Sequence, residues 1–433
     1  MKTLGGKVLT YWLSLVPLMA LIELVFALSD LINHQWLYVG GSFINSGPSA
    51  CFLSCTVPLT IRTYRCSTNA IVKIVTTIIF IGYAIFIPLS LSRTAILALI
   101  TALTIIYWQK IKLWICNGTR IKMLALATAA IVFGTALFLL KPESACGRLL
   151  IWKISFSLLQ SIPWNGVGWN CIESVYNEAQ ELYFQVHPDA TFEMNIAGST
   201  SYIFNDFLSC IVAYGVYGGI AIISSFAVAM AVTLKFNQWE LFASICSFAV
   251  VMFGSYPLHC FQFVVLSAVM WIGILPLIRR LLLTTVYSVL LVCLFYTLIL
   301  QVSNKHYDRL FNTAITLNKE CKYIESNKIL LGDLKPYVAD VRVLYLIGRN
   351  YQSIGQTDSA EYFYKKAIYR VPSRHYPHYL LMKLYRENRQ DSLAYHEAVY
   401  LLEHQPKVYN QAVEEMRYAA AQYLHQLDLH SNE

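Results

Sequence analysis

Over its first three hundred residues the chain is a succession of long apolar runs separated by short polar or basic breaks. The runs cover residues 8–28, 48–61, 70–91, 94–108, 121–140, 207–234, 241–256, 261–278 and 281–300. About 18–20 apolar residues in helical form cross the hydrocarbon of a bilayer. The pattern predicts an all-α fold, a polytopic membrane helix bundle of about nine spans. One interruption is long and hydrophilic, residues 141–203. From residue 304 onward the chain turns polar, charged and rich in tyrosine. Two domains follow: an integral-membrane domain, 1–303, that includes the 141–203 loop, and a helical tail, 304–433.

The tail has a period. Leu344, Ile347, Gly348, Tyr351, Ala360, Tyr364, Ala367 and Pro372 stand at the positions of a tetratricopeptide unit, a helix–turn–helix of about 34 residues. Leu381, Tyr385, Ala394 and Pro406 repeat it more weakly, Pro406 standing 34 residues after Pro372. A degenerate unit is expected over 310–336. Such stacks present a concave surface to a protein partner; the alternative is a cap on the outer face of the membrane domain.

Composition sharpens the membrane reading. Of 433 residues, 57% are hydrophobic and only 13% charged, with mean hydropathy +0.50, whereas soluble domains carry about 25% charged residues. The net charge of +8 marks topology, not nucleic-acid binding. With the N-terminus in the cytoplasm, Lys2, Lys7, Arg62, Arg65, Lys110, Lys112, Arg120, Lys122, Lys235, Arg279 and Arg280 all fall inside, as the positive-inside rule demands. The 141–203 loop and the tail then lie outside, on the periplasmic side of an inner membrane that holds the bundle. Residues 1–6 are too short for a cleaved leader, so the first run is read as a retained helix. The eleven cysteines are scattered without metal-ligand spacing. Cys146 and Cys171 lie in the outer loop, an oxidising setting, and either a bridge or two thiols fits them.

Few basic residues lie outside near a membrane end, and these need another reason to exist. Arg93 closes Ser90-Leu91-Ser92-Arg93 between two runs. It either snorkels to the interface or offers its rigid fork of donors to phosphate oxygens. Arg148 follows Gly147 and opens the loop, with Trp152 one helical turn on. This part reads as an amphipathic helix on the membrane surface, and Pro163-Trp164-Asn165-Gly166-Val167-Gly168 as a tight turn anchored at headgroup level. Two outward arginines make a clamp suited to a pyrophosphate. Phe204-Asn205 precedes the next run, and Gly215-Val216-Tyr217-Gly218 within it permits close packing or a kink. Glu23 and Asp30 lie in or just beyond the first run; Glu23 lines a cavity or pairs with a neighbour. No D-x-D-type carboxylate cluster is present to hold a metal, and no cofactor is expected.

In order, S-x-S-R, then G-R-x-x-x-W opening a large loop, then P-x-x-G-x-G, then N-x9-G-x-x-G entering a run, resembles the O-antigen ligase / O-antigen polymerase superfamily. Phe43-Ile44-Asn45-Ser46-Gly47-Pro48 fits the same pattern, and the resemblance covers residues 43–278. It implies a metal-independent membrane glycosyltransferase of polysaccharide or lipopolysaccharide biosynthesis, taking a glycan from an undecaprenyl-diphosphate carrier. The acceptor hydroxyl would belong to a lipid A core, another glycan or a protein. Arg93 and Arg148 would hold the diphosphate and act in catalysis, with Trp152, Gly166, Gly168 and Asn205 around the substrate. The resemblance implies several further spans before the Phe43 segment, and the chain is read as short there, by an abbreviated fold or a misassigned start. Phe204 departs from the pattern, standing where typical ligases place a histidine base. Asp206 is named in its stead, with Glu173, Glu178, Glu181, Asp189, Glu193 or His187 as alternatives, unless bond breaking runs ahead of attack. A transporter, or a non-catalytic scaffold presenting the repeat, are the readings from other classes.

Overall fold

The computed structural model describes residues 13–33, 39–116, 142–274, 304–334 and 340–431, with five isolated positions between 128 and 139. The described residues are helical, without strands. The chain divides into two compact bodies: residues 1–142 with 204–301, and residues 143–203 with 302–433.

The first body is a helical membrane bundle. Its helices are α1 (Leu15–Ile32), α2 (Ser46–Cys66), α3 (Ala70–Leu89), α4 (Arg93–Ile106), α5 (Trp108–Cys116), α9 (Asp206–Lys235), α10 (Trp239–Gly254) and α11 (Phe261–Ile274). By length and composition α1, α3 and α9 suffice to cross a membrane; α4, α10 and α11 are shorter apolar helices. The expected run 121–140, apart from those five positions, the run 281–300, and Lys2, Lys7, Arg120, Lys122, Arg279 and Arg280 lie outside the described residues.

Two kinds of helix compose this body, and sequence explains both. On α3, Ile71, Ile74, Ile78, Ile81 and Ile85 are exposed, a stripe at three- and four-residue spacing with the character of a lipid-facing surface. Opposite it, Thr76, Ile79, Tyr83 and Phe86 are buried. Helix α2 differs: every residue from Pro48 to Thr60 is buried. It packs against α1, α3, α4 and α10. Its small and hydroxylic residues suit a helix enclosed by protein, since membrane helices join through small side chains and interhelical hydrogen bonds. Tyr83 shares its hydroxyl with Thr56 and Thr60, each at 2.8 Å. Ser244 donates to the Cys55 carbonyl, and Ser247 to that of Ala98 at 2.7 Å. The expected run 48–61 is therefore only the most apolar part of a 21-residue helix.

Helix α9 breaks at Gly215, whose φ of 64° and ψ of −155° interrupt the helical path. Only glycine reaches that backbone region without a large penalty. The glycines foreseen as packing or kinking positions thus include a true kink.

The second body contains α6 (Pro142–Leu158), α7 (Ile172–Val186), α8 (Thr191–Ile196) and seven tail helices: α12 (Asn304–Lys319), α13 (Tyr323–Leu331), α14 (Val341–Ser353), α15 (Thr357–Arg370), α16 (Tyr376–Glu387), α17 (Asp391–Glu403) and α18 (Gln411–Ser431). Successive tail helices pack as antiparallel hairpins. Of the positions picked out by the period, Leu344, Ile347, Ala360, Tyr364, Ala367, Leu381, Tyr385 and Ala394 are buried, while Tyr351 and Pro406 are half-buried. Gly348 lets the Tyr364 ring lie against the α14 backbone; a Cβ there would meet Tyr364 Cε1 at 2.4 Å. Asn350 ties the first two hairpins by donating to Ser326 Oγ and Asn327 Oδ1 at 2.9 and 2.8 Å while accepting from Asn318 at 2.6 Å.

The boundary between bodies differs from the one drawn along the sequence. Residues 143–203 pack with the tail, α7 lying against α15. Arg370, 1% exposed, donates to Glu181 at 2.8 Å, and Gln180 donates to the Arg370 carbonyl at 2.6 Å. A contact spanning some 190 residues of sequence leaves no local signature.

Candidate functional site

At one end of the first body, three helices begin. Asn45 stands at the N-cap position of α2 without a side-chain cap bond, while Ser92 caps α4 and Asn205 caps α9. Ser92 Oγ accepts from the Ala95 amide at 3.4 Å, and Asn205 Oδ1 from the Leu208 amide at 3.0 Å. These residue types are preferred caps because their short side chains reach amides that have no helical partner. The three starts are linked. Ser92 Oγ lies 3.8 Å from Cys51 Sγ on α2. Thr94 donates to the Gly254 carbonyl at 3.2 Å, where α10 ends.

The turn after α10 joins the rest. Asn45 Nδ2 donates to the Tyr256 hydroxyl at 3.3 Å, and the Tyr256 ring meets Phe204 edge-on at 5.3 Å. Asp206, fully buried, accepts from the Leu258 amide through Oδ2 at 2.6 Å. Its Oδ1 has no hydrogen-bond partner among the described residues. Arg93 is half-buried and is the first residue of α4. Arg93, Asn205 and Asp206 therefore share one end of the first body. The sequence reading did not single out Tyr256 or Thr94; the Ser255-Tyr256-Pro257 break at the end of an apolar run was the available signal.

Glu23, buried on α1, accepts from the Ser42 amide at 3.2 Å and from the hydroxyls of Ser42 and Ser49. Asp30 accepts from the Gly41 amide at 2.8 Å, and Gln262 donates to the Ser42 carbonyl at 2.9 Å. These bonds fasten the segment that leads into Asn45. Glu23 pairs with neighbours, one of its two foreseen roles.

The other named residues belong to the second body. Gly147, Arg148 and Trp152 are half-buried on α6. Gly166 donates its amide to the Pro163 carbonyl at 2.8 Å, and both Gly166 (φ 78°) and Gly168 (φ 91°) are left-handed. The segment is the foreseen tight turn, with Trp164 81% exposed at its tip. Cys146 and Cys171 are thiols.

Three acidic residues of the loop, Glu173, Glu181 and Glu193, are engaged. Burial raises the Glu181 carboxyl above its ordinary range despite Arg370 and Lys366. Burial likewise raises Glu173, against a hydrogen bond from Ser201. At Glu193 burial pushes upward, but hydrogen bonds from Lys153 and Tyr183 outweigh it and the carboxyl sits below 4.5. His187 stacks on Tyr183 at 4.4 Å between centroids.

The fold and these helix starts define the class, a helical membrane bundle with polar capping residues and one arginine gathered at one end. Residues 78–223, roughly a third of the chain, match the model of the family described as O-antigen ligase. The matched stretch holds Arg93, Arg148, Trp152, Gly166, Gly168, Asn205 and Asp206. No curated protein and no solved structure matches the chain.

Proposed function

We propose that the chain is an O-antigen ligase-like transferase. It moves a glycan from an undecaprenyl-diphosphate-linked donor to a hydroxyl acceptor at the periplasmic face of the bacterial inner membrane. The carrying observation is Arg93 at the first position of a capped helix within the matched stretch. A cation there opposes the helix dipole by about 0.3–1 kcal/mol. A bound anion reverses that sign, because guanidinium and helix N-terminus then both attract it.

Breaking the glycosidic bond leaves its electron pair on the diphosphate, so preplaced positive charge stabilises the transition state more than the ground state. Arg148 is assigned the same ligand on the strength of its sequence motif, with Trp152, Gly166 and Gly168 on the donor or acceptor side. Asp206 is fully enclosed, and a base must come within hydrogen-bond reach of the proton it takes. We therefore assign Asp206 to holding the 257–260 turn, and let bond breaking lead, with the departing diphosphate available for the acceptor proton. A polymerase or protein-glycosylating enzyme would share this donor chemistry and differ in the product lost.

The test is deletion of the gene and complementation with Arg93→Ala and Arg148→Ala, reading lipid-linked glycan accumulation and transferred glycan. Each variant should accumulate donor and lose product. Wild-type profiles from both would refute the assignment.

A further inference from the structure

From Ile196, the last residue of α8, to Ile203 the chain runs as a strap, residues 197–203 without regular secondary structure. Backbone polar groups outside helices must find partners elsewhere, and here side chains supply them. Lys407 Nζ donates to the Ile196 carbonyl at 2.6 Å, and Ser373 Oγ to that of Ala197 at 2.6 Å. Gln180 donates to the Gly198 carbonyl at 3.2 Å and Asn177 to that of Thr200 at 3.3 Å. Gln180 also donates to the Arg370 carbonyl. Ser373 sits in the connection between α15 and α16, Lys407 in that between α17 and α18. Two successive inter-hairpin connections thus grip one strap, and its next residues in sequence are Phe204-Asn205-Asp206. A separate cleft of the repeat, lined by Arg349, Gln352, Leu380, Lys383 and Glu387, takes no part in these bonds.

We propose that the helical repeat is an internal clamp on this strap, and that Ser373 and Lys407 are positioning residues for the transfer reaction. The proposal rests on the transferase reading above. It gives the tail work inside its own chain, whereas a partner-docking adaptor would work through the cleft.

The experiment uses the whole chain in membranes of the deletion host. Variants are Ser373→Ala with Lys407→Met, Lys407→Arg as the conservative rescue, and Arg349→Ala with Lys383→Ala as the cleft control. Hydrogen exchange is read at 197–203, and the ratio of lipid-linked to transferred glycan in the same cells. Loss of a charged and a neutral hydrogen bond should speed exchange in the strap by about tenfold to hundredfold. Exchange within α14 to α17 should be unchanged, transfer should fall, and Lys407→Arg should restore both. The cleft control should leave both readings at wild type. Unchanged strap exchange would overturn the clamp, as would full transfer despite fast exchange, or equal loss of transfer in the cleft control. If Arg93→Ala and Arg148→Ala also leave the glycan profile intact, the transferase reading fails instead, and strap exchange alone then decides the clamp.

Discussion

Replacing Arg370 by methionine tests how the second body is held together. Arg370 is 1% exposed, and its guanidinium lies 2.8 Å from Glu181, whose side chain is 8% exposed. Removing one member of a buried ion pair strands the other charge, at a cost of about 3–5 kcal/mol. Lys366, 3.6 Å from the same carboxylate, remains to attend Glu181, so the low end, about 3 kcal/mol, is expected. For a body of about 190 residues, each kcal/mol lowers Tm by about 2–4 °C, giving a fall of about 6–12 °C. The assay is thermal unfolding of the whole chain in detergent, followed by protease resistance of segments 143–203 and 304–431. Arg370→Met with Glu181→Met removes both charges and should recover most of the loss, since apolar replacements of buried pairs are often neutral. A single variant within about 2 °C of wild type, or a double variant less stable than the single, would refute the reasoning.

Three further outcomes follow from the same structure. Gly215→Ala places a Cβ on a backbone region reserved for glycine and should cost about 1–3 kcal/mol, read as reduced yield and thermal stability of the folded chain. Gly348→Ala drives a Cβ to 2.4 Å from Tyr364, an overpacking cost of about 1–3 kcal/mol; Tyr364→Leu in the same chain should relieve part of it. Glu193, held below 4.5 by Lys153 and Tyr183, has a folded value under its unfolded one. Its contribution is present above pH 4.5 and disappears as pH falls through the lower folded value; Lys153→Met should remove that acid-limb dependence in thermal unfolding measured against pH.

The membrane bundle is legible in sequence because the lipid-facing helices must be apolar all along one exposed side, as the isoleucine stripe of α3 shows. Helix α2 is legible only in part. Enclosed by protein, it can use Ser, Thr and Pro, so hydropathy underreports it. The hairpins of the tail are legible because small and aromatic residues recur where helices approach closely. What the sequence hides is the docking of 143–203 on the tail. Gln180, Glu181, Arg370, Ser373 and Lys407 are ordinary polar residues in ordinary places, and only long-range packing turns them into partners. The site shows the same division: Arg93 announces itself as a cation out of place between two apolar runs, while Ser92 and Asn205 gain their capping roles, and Tyr256 its meaning, from the fold.

The backbone at Leu91 and Phe204 invites a functional reading, since both are left-handed, φ 49° and 55°, directly before Ser92-Arg93 and Asn205-Asp206. Strain does gather at active sites. Yet Asn237, Cys321 and Arg389 are left-handed too, each directly before the cap residue of a helix, and Gly355 holds the same place before α15. The conformation is a packing device for tight helix-to-helix turns, so it carries no argument for chemistry. What separates the two turns is what comes next. Gln238, Lys322, Gln390 and Gln356 make no side-chain cap bond, whereas Ser92 and Asn205 do. A capped helix start keeps its first amides fixed in direction, and α4 then adds a guanidinium at its first position. Fixed donors beside a cation suit an anion, and among these turns the one before α4 combines a side-chain cap bond with an arginine at the first helical position.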